Sequence, residues 1–434
     1  MSKGQACFGK GGPEENSVMK DTACIILAAG RGTRMKSPLA KVLHKIAGKT
    51  MIERALELVK PFSFKPLITI TGYKSEEVAK FCGDAKVVKQ KSLLGSADAV
   101  MSARSALSKF KGDIVILYAD VPLVRQSTIY ELVEAHKKNN AFCTFLTAKM
   151  KDPTGYGRVL RDDNDNIARI VEEKEASLYD KAIEEVNVGV YCFKAQQLFD
   201  FLKEVKNDNK KGEYYLTDII SVFRKRNLKI GSVNASGEDE AYGINSKEEL
   251  AKAERILNLR AIEKFMTEGV SIIDPQNTYI DINCKMGQDT VIKPFTIIEE
   301  GVTIGSGCVV GPFARLRKGT VLADNVEIGN FVELVRCDIG LGTTIKHHTY
   351  VGDAIIGKNV NIGAGTITAN YDGKTKQKTI IKDGAFIGSG TIFVAPVVVG
   401  KKAVTGAGSV LTKNTSVPDK GVFVGIPARP LKRR

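Results

Sequence analysis

The sequence predicts an α/β protein with two architectures in series, a layered and mostly parallel sheet followed by a solenoid of short strands. Three observations carry this. Strand-like apolar runs alternate with amphipathic segments from Ala23 to about Asn245, a helix-like stretch follows, and from Ile280 an apolar residue recurs at every sixth position. A period of six fits neither the alternation of a strand nor the 3.6-residue turn of a helix. The second half is therefore read as a hexapeptide β-helix.

Residues 1–21 are polar and glycine-bearing, lack the apolar core of a leader peptide, and are expected to form a flexible tail. The layered domain is placed at 22–245. Its first strand runs from Ala23 to Leu27, and others are expected at Leu67–Thr71, Ile114–Leu117, Phe142–Thr147 and Val188–Phe193. This alternation suits a Rossmann-like sheet, whose ligands sit beyond the carboxyl ends of the strands. Two segments fall there, Leu27-Ala28-Ala29-Gly30-Arg31-Gly32-Thr33-Arg34-Met35 and Tyr118-Ala119-Asp120. The small residues and glycines of the first let the backbone turn tightly, so that its N–H groups face an anion, and Arg34 and Lys41 add positive charge. No Gly-Lys-Ser/Thr follows, which excludes a Walker loop, and Met35 stands where a dinucleotide fingerprint needs its third glycine. Asp120, a carboxylate at a strand end, is placed to ligate a metal.

Ser246-Lys247-Glu248-Glu249 is a capping box, with Leu250, Ala253, Leu257, Ala261 and Phe265 following at helical spacing. A linker helix is expected over 246–270. In the remainder, 271–434, the six-residue register runs unbroken from Ile280 through Met286, Ile292, Ile298, Ile304, Val310, Leu316, Leu322 and Ile328 to Leu334. Each of these residues should point into a prism, while Gly305, Gly329 and Gly363 take turns. After small shifts the register continues through Ile339, Ile345, Val351, Ile356, Ile362 and Thr368, then from Ile381 to Leu411. Between the last two runs, Asn370 to Thr379 is too polar for a core and is expected to loop out, as functional loops on rigid scaffolds do.

Composition narrows the partners. The net charge is +15, but the lysines are dispersed and no aromatic-basic motif occurs, so small anions rather than nucleic acid are the expected ligands. No apolar run is long enough to cross a bilayer, so a cytoplasmic protein with no membrane partner is expected. Eight cysteines include no Cys-x-x-Cys pair, which points to buried reduced thiols rather than a zinc site or a disulfide framework.

The glycine-rich nonapeptide with Lys41 closely resembles the signature of sugar-1-phosphate nucleotidyltransferases. With both halves considered, nearly the whole chain after Asp21 is similar to the bifunctional N-acetylglucosamine-1-phosphate uridyltransferase and glucosamine-1-phosphate acetyltransferase family. The resemblance implies a left-handed prism, a homotrimer with acetyl-transfer sites between neighbours, and UTP, N-acetylglucosamine-1-phosphate, glucosamine-1-phosphate and acetyl-coenzyme A as substrates. In the first half it makes Leu27, Ala28, Ala29, Gly30, Arg34 and Lys41 nucleotide contacts, with Arg34 and Lys41 stabilising the departing pyrophosphate. Gln90, Gly95 and Ser96 become uracil contacts, a role for which a side-chain amide that both donates and accepts is suited. Tyr118, Tyr156, Gly157, Glu172 and Asn187 line the nucleotide-sugar pocket. Asp120 and Asn245 hold magnesium, for which two oxygen ligands plus substrate phosphates are apt.

In the second half the resemblance makes His347 the general base of acetyl transfer, polarised by Glu333. Arg317, Tyr350, Asn361 and Lys376 bind the sugar phosphate, and Ala364, Asn370, Tyr371, Ser389 and Ala407 meet acetyl-coenzyme A. Two departures stand out, Val335 in place of a phosphate-binding lysine and Gly425 in place of an arginine. Arg336 is offered as a substitute for the lysine, although consecutive strand residues face opposite ways. These departures keep a second possibility open, uridyl transfer with a purely structural trimerising solenoid. A non-enzymatic nucleotide-sugar sensor is the possibility of another class, disfavoured by the intact set of Arg34, Lys41 and Asp120.

Overall fold

A computed structural model describes residues 18–431 and divides the chain into two compact units between Glu254 and Arg255. In the first unit a nine-stranded sheet contains β1 (Thr22–Ala28), β2 (Leu67–Thr71), β3 (Lys86–Lys89), β4 (Asp113–Tyr118), β5 (Cys143–Lys149), β6 (Arg158–Arg161), β7 (Ile167–Val171), β8 (Glu185–Lys194) and β9 (Ile230–Asn234). The strand order is β9-β5-β8-β4-β1-β2-β3, with the β6–β7 hairpin attached to β8. All neighbours on the main path are parallel except β8, which runs antiparallel to both β4 and β5.

The sheet is covered on both faces, and β1 shows why its sequence is a continuous apolar run. Cys24, Ile26 and Ala28 enter one core with Ile52, Ala55 and Val59 of the helix Met51–Val59. Ala23, Ile25 and Leu27 enter the other, with Ala97, Ala99 and Val100 of the helix Ser96–Ser102. A central parallel strand buried on both sides has no polar face to alternate with. The five expected strands are all present: β2 matches outright, β1 and β4 are one residue longer at each end, β5 begins one residue later and ends two later, and β8 begins three residues earlier and ends one later. β3, β6, β7 and β9 were not foreseen; β3 is an edge strand with the sequence Lys86-Val87-Val88-Lys89 and mostly exposed side chains, so no apolar run announces it.

Of the expected tail, residues 1–17 lie outside the described residues. Met19 is buried in the first core, and the Asp21 carbonyl accepts the N–H of Asp113 at 3.1 Å, so the packed fold begins ahead of Thr22. The seven described cysteines are all buried and free, and burial pushes the thiols of Cys24, Cys143 and Cys192 up.

The helix after the sheet spans Lys247–Thr267. Its capping box is formed in both directions, Glu249 N–H to Ser246 Oγ at 3.1 Å and Ser246 N–H to Glu249 Oε2 at 2.9 Å. The division between units falls inside this helix, because Ala261, Ile262 and Phe265 belong to the solenoid core. Buried Asn258 caps the first coil, donating to Thr278 O and accepting from Ile280 N–H, both at 2.8 Å.

In the second unit every strand pair is parallel apart from the final Val422–Val424 with Arg429–Pro430. Pairing repeats at one coil of three hexads: Val291 aligns with Val309, and Val309 with Glu327. Two coils are one residue shorter, which is the origin of the register shifts after Leu334 and Val351. Ile292, Val310, Ile328, Ile345, Ile362 and Ile387 stack as one buried column. Buried threonines close the turns between coils, as where Thr343 Oγ1 donates to Gly357 O at 2.8 Å and accepts Val360 N–H at 3.1 Å. The expected loop projects with one correction. Asn370 and Thr379 are themselves buried: Asn370 donates its amide to Asp353, and the Thr379 N–H donates to the Asp353 carbonyl at 3.2 Å, so both keep a partner inside the fold.

Candidate functional site

In the first unit the carboxyl ends of β1, β2, β3 and β4 lie side by side, and each delivers residues to one edge of the sheet. After β1 the chain passes Gly30 and turns at Gly32, whose φ of +65° and closeness to Lys41 exclude a larger residue; a Cβ there would lie 2.4 Å from Lys41 Cβ. Around Gly30 there is nothing within 4 Å of a Cβ position, so the turn is open where an anion would approach. Met35 takes the third-glycine place because it is buried, ending the short helical turn Thr33–Met35. Arg34 is exposed. Leu27, Ala28 and Ala29 are buried, so backbone groups are what they offer a ligand.

Lys41 is the electrostatic centre. Its stem is buried, and its ammonium donates to Asp120 Oδ2 and, at 2.6 Å, to Asn245 Oδ1. Asp120 and Asn245 are brought together because Ile244 N–H donates to the Asp120 carbonyl at 2.8 Å, and the Asn245 N–H is held by Glu249 Oε2 at 2.5 Å. Two hard oxygens from distant segments thus converge on one cation. That donor set fits magnesium, which takes one or two protein oxygens and completes its shell with water and phosphate.

At the end of β3, buried Gln90 gives Nε2 to Gly95 O at 3.1 Å and to Asp98 Oδ2 at 2.6 Å, leaving Oε1 as the atom for a ligand. Asp98 had no signal in the sequence beyond its place in the helix. Gly95 must be glycine: its φ is +114°, and a Cβ would meet Tyr214 O at 2.5 Å. Ser96 Oγ accepts Leu216 N–H at 2.9 Å and hydrogen-bonds Tyr118, whose phenol burial pushes up.

Tyr156 and Gly157 sit just before β6, and Glu172 follows β7. Burial raises the Glu172 carboxyl, against a hydrogen bond from Thr217 Oγ1 at 2.9 Å. Burial also pushes neighbouring Asp218 up to about 6, with Glu172 adding repulsion. Asn187 uses part of its amide inside β8, donating to Tyr191 Oη at 2.7 Å and accepting Gly189 N–H at 3.2 Å where the strand bulges. One amide proton and one lone pair remain to meet a sugar.

In the second unit His347 lies between two stacked columns, Glu327, Thr344 and Asn361 on one side and Arg315, Glu333 and Tyr350 on the other. The residue that meets its ring differs from the expected Glu333. Nδ1 of His347 pairs with Asn330 Oδ1 at 3.0 Å, while the Glu333 carboxylate accepts from Arg317 Nη1 at 2.9 Å. The cause is register, since Asn330 is directly opposite His347 and Glu333 is opposite Tyr350. The 17-residue coil spacing was the signal for Asn330, one coil behind the histidine. His348 faces elsewhere and stacks on Phe331 at 5.0 Å.

Val335 is buried, and Arg336 does not replace the missing lysine: it forms a bidentate pair with Asp353 at 2.6 and 2.7 Å. Asp353, held low by that guanidinium, also accepts from Asn370. Tyr350 Oη and Asn370 Nδ2 both overlie Gly352, at 2.6 and 2.8 Å from a would-be Cβ. Ala364, Ser389 and Ala407 occupy equivalent corners of successive coils, joined through Gly390 N–H to Ala364 O and Gly408 N–H to Ser389 O at 2.7 Å each. Exposed Tyr371 and Lys376 bridge within the projecting loop. Gly425 has φ +91°, a backbone conformation that disfavours a side chain there.

Comparison with known proteins matches each half separately and the chain as a whole. Residues 24–186 match the MobA-like NTP transferase domain, residues 283–318 the bacterial transferase hexapeptide (six repeats), and residues 378–413 the hexapeptide repeat of succinyl-transferase. The bifunctional protein GlmU of Shouchella clausii is 42% identical over 440 residues, covering 94% of this chain and 96% of that protein. The bifunctional protein GlmU of Pelotomaculum thermopropionicum is 43% identical over 411 residues, covering 87% and 90%. That of Listeria monocytogenes is 40% identical over 440 residues, covering 94% and 96%.

Proposed function

We infer that this chain, which belongs to the family of bifunctional GlmU proteins, makes UDP-N-acetylglucosamine in two steps. Its second unit transfers the acetyl group of acetyl-coenzyme A to glucosamine-1-phosphate. Its first unit transfers uridylyl from UTP to N-acetylglucosamine-1-phosphate and releases pyrophosphate. The observation that carries the first activity is the convergence of Lys41, Asp120 and Asn245 at the edge of the sheet where the open turn at Gly30 lies.

Uridyl transfer joins two anions, so the site must offset their repulsion and hold the sugar-phosphate oxygen in line with the α-phosphorus. The backbone of 28–34 and the charges of Arg34 and Lys41 bind and orient the triphosphate. Gln90 Oε1 accepts from the base edge, while Gly95 keeps the backbone close to it. Glu172, Asn187 and Gly157 orient the sugar. Magnesium, held by Asp120 and Asn245, would supply charge neutralisation at the phosphates.

Acetyl transfer needs the glucosamine nitrogen to lose a proton as it attacks the thioester, and His347 takes that proton, its ring oriented by Asn330. Arg317, Tyr350, Asn361 and Lys376 hold the sugar phosphate. Asn370, Tyr371 and the small-residue corner of Ala364, Ser389 and Ala407 accommodate acetyl-coenzyme A. Flat prism faces support a homotrimer with these sites shared between copies. No helix among the described residues is long and apolar enough to cross a membrane.

Separate assays of the two half-reactions on the purified full chain test the proposal. Asp120→Ala should abolish most pyrophosphate release and leave thiol release intact. His347→Ala should do the reverse, by about a hundred- to ten-thousandfold in turnover. A wild type that releases no thiol from acetyl-coenzyme A with saturating glucosamine-1-phosphate leaves the solenoid a structural trimeriser.

A further inference from the structure

The ammonium of Lys41 lies on the same two oxygens that a divalent cation would need, Asp120 Oδ2 and, at 2.6 Å, Asn245 Oδ1. Both side chains of the ion pair are largely shielded, 10% and 22% exposed, so the contact is not a solvated surface pairing. An ammonium and a divalent cation held by the same two side chains lie close enough to repel each other strongly. The stem of Lys41 is pinned under the Gly32 turn, which leaves only the end of the side chain free to move. The turn that holds this stem is open two residues earlier, where nothing lies within 4 Å of a Cβ position at Gly30.

We propose that Lys41 is an internal competitor of the divalent cation: metal entry between Asp120 and Asn245 expels the ammonium into the phosphate-binding turn, so that one event creates both positive charges the nucleotide requires. The proposal rests on the magnesium site assigned above and concerns how that site is gated. Lys41 then has two positions, a locking one on the carboxylate and a substrate-facing one. Metal and nucleotide are coupled through it, because each favours the same position of one side chain. Metal binding to the nucleotide-free chain is correspondingly weakened, since the metal must first break a shielded, charge-assisted contact.

The test is Mn2+ binding to the full chain without nucleotide, followed by the electron paramagnetic resonance signal of the free ion. Lys41→Met and Lys41→Gln both remove the competing charge; the glutamine keeps an amide donor for Asn245 and guards against local collapse. Each should bind Mn2+ at least about tenfold more tightly than wild type, as expected when a unit charge is removed from hydrogen-bond range of the ion. Adding Asp120→Asn should abolish the gain. In thermal melts, both neutral variants should be less stable than wild type without metal and should gain more from Mn2+. Equal or weaker Mn2+ binding by the neutral variants, with binding still dependent on Asp120, overturns the competition and leaves the metal site standing. Binding that ignores Asp120→Asn overturns the metal site and the competition together.

Discussion

The partner of His347 offers a sharp test, because resemblance points to Glu333 and geometry points to Asn330. The perturbation is a pair of single substitutions, Asn330→Ala and Glu333→Gln. Asn330 gives the imidazole one hydrogen bond at 3.0 Å. A neutral hydrogen bond is worth about 0.5–1.5 kcal/mol net, or roughly two- to tenfold, and here that loss falls on ring orientation. Asn330→Ala should therefore lower kcat for acetyl transfer by about that factor with little change in KM. Glu333 instead pairs with Arg317 at 2.9 Å, with the two side chains 36% and 39% exposed. So exposed a pair contributes about 0–1 kcal/mol, and breaking it leaves the Arg317 guanidinium, among the described residues, with only the Glu299 carboxylate, at 4.0 Å. Glu333→Gln should leave kcat within about twofold and shift KM for glucosamine-1-phosphate. Thiol release from acetyl-coenzyme A, fitted for both constants, separates the two. A hundredfold fall in kcat for Glu333→Gln with a silent Asn330→Ala would refute the register argument.

Three further outcomes are expected. Gly95→Ala forces a Cβ to within 2.5 Å of Tyr214 O at a φ of +114°, so it should cost about 1–3 kcal/mol and raise KM for UTP, read by urea melts and uridyl-transfer kinetics; an unchanged stability and KM would show that the backbone yields freely. Asp218, pushed up to about 6 from 3.8, holds a proton between those values that the unfolded chain has released. Its contribution to stability is present below about pH 4 and is lost as pH rises through 6, so Asp218→Asn should stabilise by up to about 2 kcal/mol at pH 7 and by little at pH 4. Equal effects at both pH values would exclude burial of the charge as the cause. Finally, sedimentation of the full chain should show a trimer, and a monomer at working concentration would reject the shared acetyl-transfer site.

The sequence by itself determined the architecture and most of the chemistry. A strand buried on two faces has to be a continuous apolar run, so β1 was legible, as was the solenoid, whose six-residue period has few other physical explanations. The capping box at Ser246 was legible for the same reason: its hydrogen bonds join residues three apart. The positions of Lys41, Asp120 and Asn245 at one sheet edge followed from strand polarity together with the family pattern. What tertiary structure decided was pairing across long separations. Asn330 rather than Glu333 meets His347 because two coils align in register; Arg336 is committed to Asp353; and Asn370 stays buried because that same aspartate accepts its amide. The edge strand Lys86–Lys89 was invisible because an exposed strand carries no apolar run. The meeting of Lys41 with both Asp120 and Asn245 depends on β1, β4 and the segment before the helix arriving together, since side-chain contacts between such distant residues are set by packing and not by local spacing.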